Sequence, residues 1–240
     1  MAFSLLLGAW SNALAKSESG SRPLHHFFNA RLLQPKEAQV SVYGNAKIGV
    51  LENLELGTQL IGYLAKPEIF NLSIKHRMFQ GEGFQTSFNS HSIYFPGGEN
   101  FSLGGLVSFH GVVTTWDLSQ NSFLNFGLYD LYLYLQTEEK TESVRGHIFA
   151  PMIGYDLEIT RKWALSFVLV QPVYAFTQAN TDFGDIESEL DFLQGGPENS
   201  SLFFMTTIIS WGSFHLEPGV FGAGKTSGLY LNLFWRFYAG

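Results

Sequence analysis

The sequence predicts a closed antiparallel transmembrane β-barrel of about twelve strands, with ten as the fallback count. Three observations lead there. First, charged residues make up only 15% of the chain while aromatic residues make up 16%, with 23 Phe and 10 Tyr; soluble proteins carry about 25% charge. Second, the mean hydropathy is only +0.06, and polar or charged residues interrupt every apolar run well short of the roughly 20 residues a membrane helix needs. Third, apolar and polar residues alternate with a period of two, and the alternating segments are joined by connections that are short and long in turn. A membrane barrel accounts for all three, because only every second residue of a strand faces lipid. A soluble β-sandwich also alternates, but it gives no reason for large aromatic faces or for loop asymmetry.

The chain divides into three parts. Residues 1–15 read as a signal peptide: Ala2 to Trp10 is apolar, and Ala13-Leu14-Ala15 fits an A-x-A cleavage site. Residues 16–24, beginning KSESGSR, read as a polar periplasmic lead. Residues 25–240 read as the barrel. The absence of cysteine excludes disulfides, thiolate metal sites and thiol nucleophiles. A net charge of −7 argues against nucleic acid as a partner.

The last strand is the clearest. Leu229, Leu231, Leu233, Trp235 and Phe237 fall on one face, and Tyr230, Asn232, Phe234, Arg236 and Tyr238 on the other. The same alternation sets Phe70, Leu72 and Ile74 against Asn71, Ser73, Lys75 and Arg77, and Phe214, Leu216 and Val220 against His215, Glu217 and Gly219. It predicts strands at 25–33, 39–51, 54–64, 69–79, 84–95, 101–116, 122–136, 144–159, 163–177, 202–211, 213–222 and 227–238. Residues 25–33 alternate poorly. The phase of 123–135 slips near Leu128 and Tyr129, which suggests a bulge. Trp235, Phe237, Trp163 and Phe101 fall near strand ends, where an aromatic girdle belongs. The short connections, taken as periplasmic, place the C-terminus on the same side. The acidic segment 178–201 is the longest external loop.

Ile48-Gly49-Val50-Leu51-Glu52-Asn53-Leu54-Glu55-Leu56-Gly57 resembles a hairpin common in bacterial outer-membrane barrels, of the form G-V-x-[DE]-N-L-E-L-G. Trp235-Arg236-Phe237 resembles the aromatic C-terminal strand that the outer-membrane assembly machinery reads, although Tyr238, Ala239 and Gly240 follow it here. The resemblance implies the bacterial outer membrane as location, with outer-membrane lipid and that machinery as partners. It implies no particular activity.

Nothing in the sequence assembles a catalytic, cofactor or metal site. Ser108 and His110 share a face, as do Ser87, Asn89 and His91, but Ser, Asn and His are ordinary lumen residues, and a triad is recognised by geometry. His215 and Glu217 are too few for a closed zinc site. The polar faces supply the candidate residues: Glu55, Gln59, Lys75, Arg77, His110, Asp130, Arg145, His147, His215, Glu217 and Arg236 are all expected to point into the lumen. Glu55 with Lys75, and Glu217 with Arg236, come from neighbouring strands. Buried charges need partners, so these residues are expected either to knit a network that blocks the lumen or to line a polar path. The functional expectation is a narrow passive channel or transporter for small solutes. The alternative is a structural or surface-interaction barrel with a plugged lumen and partner-binding external loops.

Overall fold

The computed structural model describes residues 27–42, 45–59, 69–96, 103–137, 143–180, 202–223 and 226–238. They form β1 (Glu37–Ser41), β2 (Asn45–Leu51), β3 (Leu54–Gln59), β4 (Phe70–Gly81), β5 (Phe84–Phe95), β6 (Leu103–Asp117), β7 (Ser122–Thr137), β8 (Ser143–Thr160), β9 (Trp163–Val170), β10 (Tyr174–Asn180), β11 (Leu202–Trp211), β12 (Phe214–Ala223) and β13 (Thr226–Tyr238). There is no helix among the described residues. Neighbouring strands pair antiparallel, and β1 pairs with both β2 and β13, which closes the sheet. β9 pairs with the second half of β8 and β10 with its first half, so these two segments share one place in the wall. The barrel therefore has twelve wall positions built from thirteen segments. The break between β9 and β10 falls at Pro172, which has no N–H to give a ladder. Gln171 N and Val173 N still donate to β8, to Pro151 O at 3.0 Å and Phe149 O at 2.9 Å.

Five tight connections lie at one end of the barrel: β2–β3, β4–β5, β6–β7, β8–β9 and β11–β12. Gly83 and Gly212 sit in two of these turns with φ of 75° and 60°, a backbone state that glycine adopts without steric cost. β1 starts and β13 finishes at this same end, with Glu37 opposite Tyr238. At the other end β3, β5, β7 and β10 finish, each separated from the next strand by five or more residues of sequence, while only 42–44 and 224–225 separate β1 from β2 and β12 from β13. The wall is uneven in height: β1 to β3 have 5, 7 and 6 residues, whereas β6 to β8 have 15, 16 and 18.

The count of twelve stands, but two of its parts are corrected. Residues 25–33 are not a wall strand; the described part of that stretch, from Phe27, runs inside the barrel without strand structure. The segment 39–51 is instead two strands, β1 and β2. The bulge expected near Leu128 is absent, because β7 keeps one register with β6 and β8 along its whole length. Irregularities occur instead at Gly49/Leu51, Arg77/Phe79 and Glu158/Thr160. The signal peptide, the lead, Phe101 and most of the 178–201 loop lie outside the described residues.

The two faces of the wall are unambiguous near the tight-turn end. Leu128 is 57% exposed while its neighbour Tyr129 is fully buried against Phe27. The outer face there is apolar and carries a belt of rings. Phe84, Trp116, Trp163 and Trp211 are exposed. Trp211, Phe214 and Trp235 form a continuous row, with centroids 5.9 and 5.4 Å apart.

Candidate functional site

The lumen holds a plug made from the chain's own residues 27–36, just ahead of β1. This segment has no strand partner over most of its length, so its backbone groups must be satisfied in another way. Side chains of the wall do so. Asn89 Nδ2 and Tyr129 OH donate to Phe27 O at 2.6 and 3.3 Å. Ala30 N donates to Thr115 Oγ1 at 2.8 Å, and Gln85 Nε2 donates to Ala30 O. Lys75 Nζ donates to Arg31 O at 2.9 Å, and Leu33 N donates to Glu55 Oε2 at 3.1 Å. These hydrogen bonds reach β3 to β7. It joins the wall through Lys36 N, which donates to Gly49 O at 2.8 Å. A Cβ on Gly49 would lie 2.1 Å from Gln34 O, so the plug can approach β2 only over a glycine.

The plug side chains anchor it at two heights. Nearest the tight-turn end, Arg31 reaches Glu158 at 3.1 Å and Asp117 at 3.9 Å, and its guanidinium lies 3.5 Å from the centre of the Phe123 ring. At mid-height, Phe27 packs on Phe109 and Tyr129 with centroids 5.3 and 5.5 Å away, and Phe28 packs on Phe204 at 5.6 Å. Val113, Ala150, Met152, Val168 and Val170 complete this apolar cluster.

A polar network surrounds the plug. Glu55 lies opposite Lys75 in register, and its Oε1 stands 3.7 Å from Lys47 Nζ. All three side chains are buried. Arg236 Nε donates to Gln39 Oε1 at 2.9 Å. Glu217 Oε2 accepts from Asn232 Nδ2 at 3.0 Å and Tyr230 OH at 3.3 Å. In register Glu217 therefore faces Asn232, and Arg236 faces Gln39. His215 is 2% exposed; its ring stacks on Phe234 at 4.6 Å, and its Nδ1 lies 2.7 Å from Ser210 Oγ. Gln59 is held at its backbone by the Asn71 side chain, whose Nδ2 donates to Gln59 O at 3.0 Å. Arg77, near the tight-turn end, donates to Gln80 Oε1 at 2.8 Å.

Four expected lumen residues lie on the other side of the wall. His110, Asp130, Arg145 and His147 share a face with Phe88, Leu128 and Phe149, so they point outward. His110 stacks on Phe88 and has its Nδ1 2.8 Å from Ser90 Oγ. His147 pairs with Asp130 at 3.0 Å and stacks on Phe149. Arg145 lies over the Tyr134 ring at 5.6 Å. The physical reason is an inversion along β5 to β8. Toward the long-loop end their inward positions turn apolar (Ile93, Val107, Leu131, Leu133, Ile148) and their outward positions turn polar (Ser92, Ser108, Tyr132). Alternation continues unbroken; the chemistry of the two faces changes places. Ser108 Oγ donates to Ser92 Oγ at 2.9 Å on this outer face. Ser87 and Asn89 do share the inner face, where they bond each other at 2.9 Å and hold the plug.

Beside the plug the lumen keeps a cavity of about 220 Å³, bounded by β1, β2, β9 and β11 to β13. Phe27, Phe28, Val168 and Phe204, with Ser166 and Thr206, line it from the plug, β9 and β11; Gln39, Lys47, Glu217, Tyr230 and Asn232 line it from β1, β2, β12 and β13. The plug residues and Lys47 were not among the candidates read from the sequence. The signals were there in weak form: a stretch at 25–33 that would not alternate, and a glycine at 49 in an otherwise ordinary strand.

No protein-family model matches the chain, and no curated protein matches it. A solved structure described as "Unveiling the Mechanism Behind the in-meso Crystallization of Membrane Proteins" aligns over 84% of this chain and 83% of its own, at 6% identity and a TM-score of 0.35.

Proposed function

We propose that this chain is a bacterial outer-membrane barrel that rests closed and admits small solutes through its lumen when the plug of residues 27–36 yields. A closed barrel satisfies every wall hydrogen bond internally, which is what hydrocarbon demands. An even strand number, tight turns at one end and an apolar outer face with an aromatic belt fit that setting. The observation that carries the closed state is the plug itself. Its backbone is bonded by side chains of Asn89, Thr115, Lys75 and Glu55 on four different strands, so it occupies the route a solute would take. The bonds to Asn89 and Thr115 are worth about 1 kcal/mol net and those to Lys75 and Glu55 about 1.5–3 kcal/mol, and none of them is part of the wall ladder. The plug can therefore leave without opening the barrel.

The same observation favours a second reading, a permanently plugged barrel whose long-loop end meets a partner. Planar-bilayer recordings separate the two. On the transporter reading, the native protein conducts little, and replacing Phe27–Gln34 with a glycine-serine linker raises conductance at least tenfold. A native protein that already conducts like the linker variant overturns the closed state. A linker variant that stays silent overturns the lumen as a route and leaves the surface reading.

A further inference from the structure

From the cavity beside the plug we infer that the lumen contains a binding site for a small uncharged aromatic molecule bearing one hydroxyl or carbonyl group. The size comes first. An apolar cavity of about 150 Å³ accommodates benzene, and this one is about 220 Å³, enough for one ring with a short substituent. The lining is mixed. The faces of Phe27, Phe28 and Phe204 with Val168 offer an apolar, ring-shaped wall, to which an aromatic ring adds by offset or edge contacts. Lys47 lines the cavity from β2. Its side chain is only 6% exposed, yet among the described residues its ammonium makes no hydrogen bond; the Glu55 carboxylate stands at 3.7 Å, beyond hydrogen-bonding range. This ammonium borders the cavity, so an oxygen of a molecule held there can accept a hydrogen bond from it.

The charge balance decides between a neutral and an anionic ligand. The charges on this side of the lumen already balance, Lys47, Lys75 and Arg236 against Glu37, Glu55 and Glu217. A ligand carboxylate would bring an unmatched negative charge among them, whereas a hydroxyl or carbonyl oxygen accepts from Lys47 without one. The ring also packs on Phe27 and Phe28, which belong to the plug, so occupancy and plug position are coupled. That this site serves a transported solute rests on the channel reading above; the binding itself does not.

The test uses calorimetry on the full folded barrel in detergent, with benzyl alcohol as probe and toluene and benzoate as comparators. Benzyl alcohol is expected to bind at least tenfold more tightly than either. Thr206, also on the lining, offers a filling variant: Thr206→Phe is expected to abolish binding while strand content by circular dichroism stays native. Lys47→Met is expected to bring benzyl alcohol down to the level of toluene. Equal affinity for toluene and benzyl alcohol in the native protein overturns the polar contact, and tighter benzoate binding overturns the neutral class. Undiminished binding to Thr206→Phe overturns the site. Absence of binding alongside plug-dependent conductance rejects this site and leaves the channel standing; binding without any plug-dependent conductance rejects the channel and leaves the site.

Discussion

The two ends of the β5–β8 wall follow opposite rules. Toward the tight turns the inner face is polar, with Ser87, Asn89, Thr115, Asn125 and Asp156 buried around the plug, while Phe84, Trp116, Phe126 and Tyr155 stand exposed outside. Toward the long loops Leu131, Leu133 and Ile148 face inward, and His110, Asp130, Tyr132 and His147 face outward. One backbone geometry serves both ends, since β7 keeps its register with both neighbours throughout. The difference teaches that strand alternation fixes which residues share a face, and the surroundings fix which face is polar. On the proposed reading the outward-polar ends of these long strands rise beyond the hydrocarbon layer, where water replaces lipid as the outer solvent.

The largest expected effect tests the polar end from inside. Lys75 is buried, bonds Arg31 O and lies opposite Glu55. Lys75→Met leaves a buried carboxylate with fewer partners and releases the plug backbone, and is expected to cost about 3–5 kcal/mol. Equilibrium refolding in urea measures it, and adding Glu55→Gln is expected to recover part of the loss. No recovery in the double variant would mean that the two side chains are not coupled.

Next comes the outer face, where the two ends can be compared on one strand. Leu128→Arg places a charge among exposed apolar residues and is expected to cost about 2–4 kcal/mol if this level is mid-bilayer. Tyr132→Arg, four residues further along the same outer face, is expected to cost about 0–1 kcal/mol. Refolding titrations in lipid vesicles give both values. Equal penalties would erase the proposed boundary between the two ends.

Gly49→Ala probes the join between plug and wall. The added methyl would clash with Gln34 O, and overpacking of this kind costs about 1–3 kcal/mol. The strain falls on the plug more than on the ladder, so single-channel recordings are expected to show brief openings that the native protein lacks.

The smallest effect sharpens the contrast by its smallness. Ser90→Ala removes a half-buried hydroxyl paired with His110 on the outward face, and the expected change is about 0.5 kcal/mol. Asn89→Ala, a small polar residue on the inner face, removes the bond to Phe27 O and is expected to cost about 1–3 kcal/mol. The two substitutions measured side by side by thermal denaturation test whether the plug, rather than the polar residue type, sets the difference.

Much of the wall was legible in the sequence because each strand reports its own two faces. The last strand is the best case: Leu229, Leu231 and Trp235 announce one side and Asn232 and Arg236 the other. The plug was not legible. Its bonds join residues as far apart as Phe27 and Tyr129 or Arg31 and Glu158, and nothing periodic records such a contact. The misplacement of His110, Asp130, Arg145 and His147 has a different cause. On the proposed reading, equating polar with inward holds where lipid surrounds the wall, and those four lie where the faces have exchanged chemistry. The division of 39–51 was hidden because β1 and β2 together are no longer than one ordinary strand of this barrel.

The plug's place in the chain bears on the order of assembly. It is joined directly to β1, and β1 meets β13, so the seam of the barrel lies between the first and last of the described strands. The plug's hydrogen-bonding and ion-pair partners sit on β1 to β8, all available before β13 exists. Sealing the seam first would force the segment to thread into a finished cylinder, a route that chains avoid. The expected order is therefore that the leading segment settles on a still-open curved sheet, and that β13 then shuts it in. The plug would thus act as an internal form around which the cylinder is wrapped. Time-resolved cross-linking during refolding checks this: contact of residue 31 with residue 158 is expected to precede contact of residue 40 with residue 235, and the reverse order would show a barrel that closes empty.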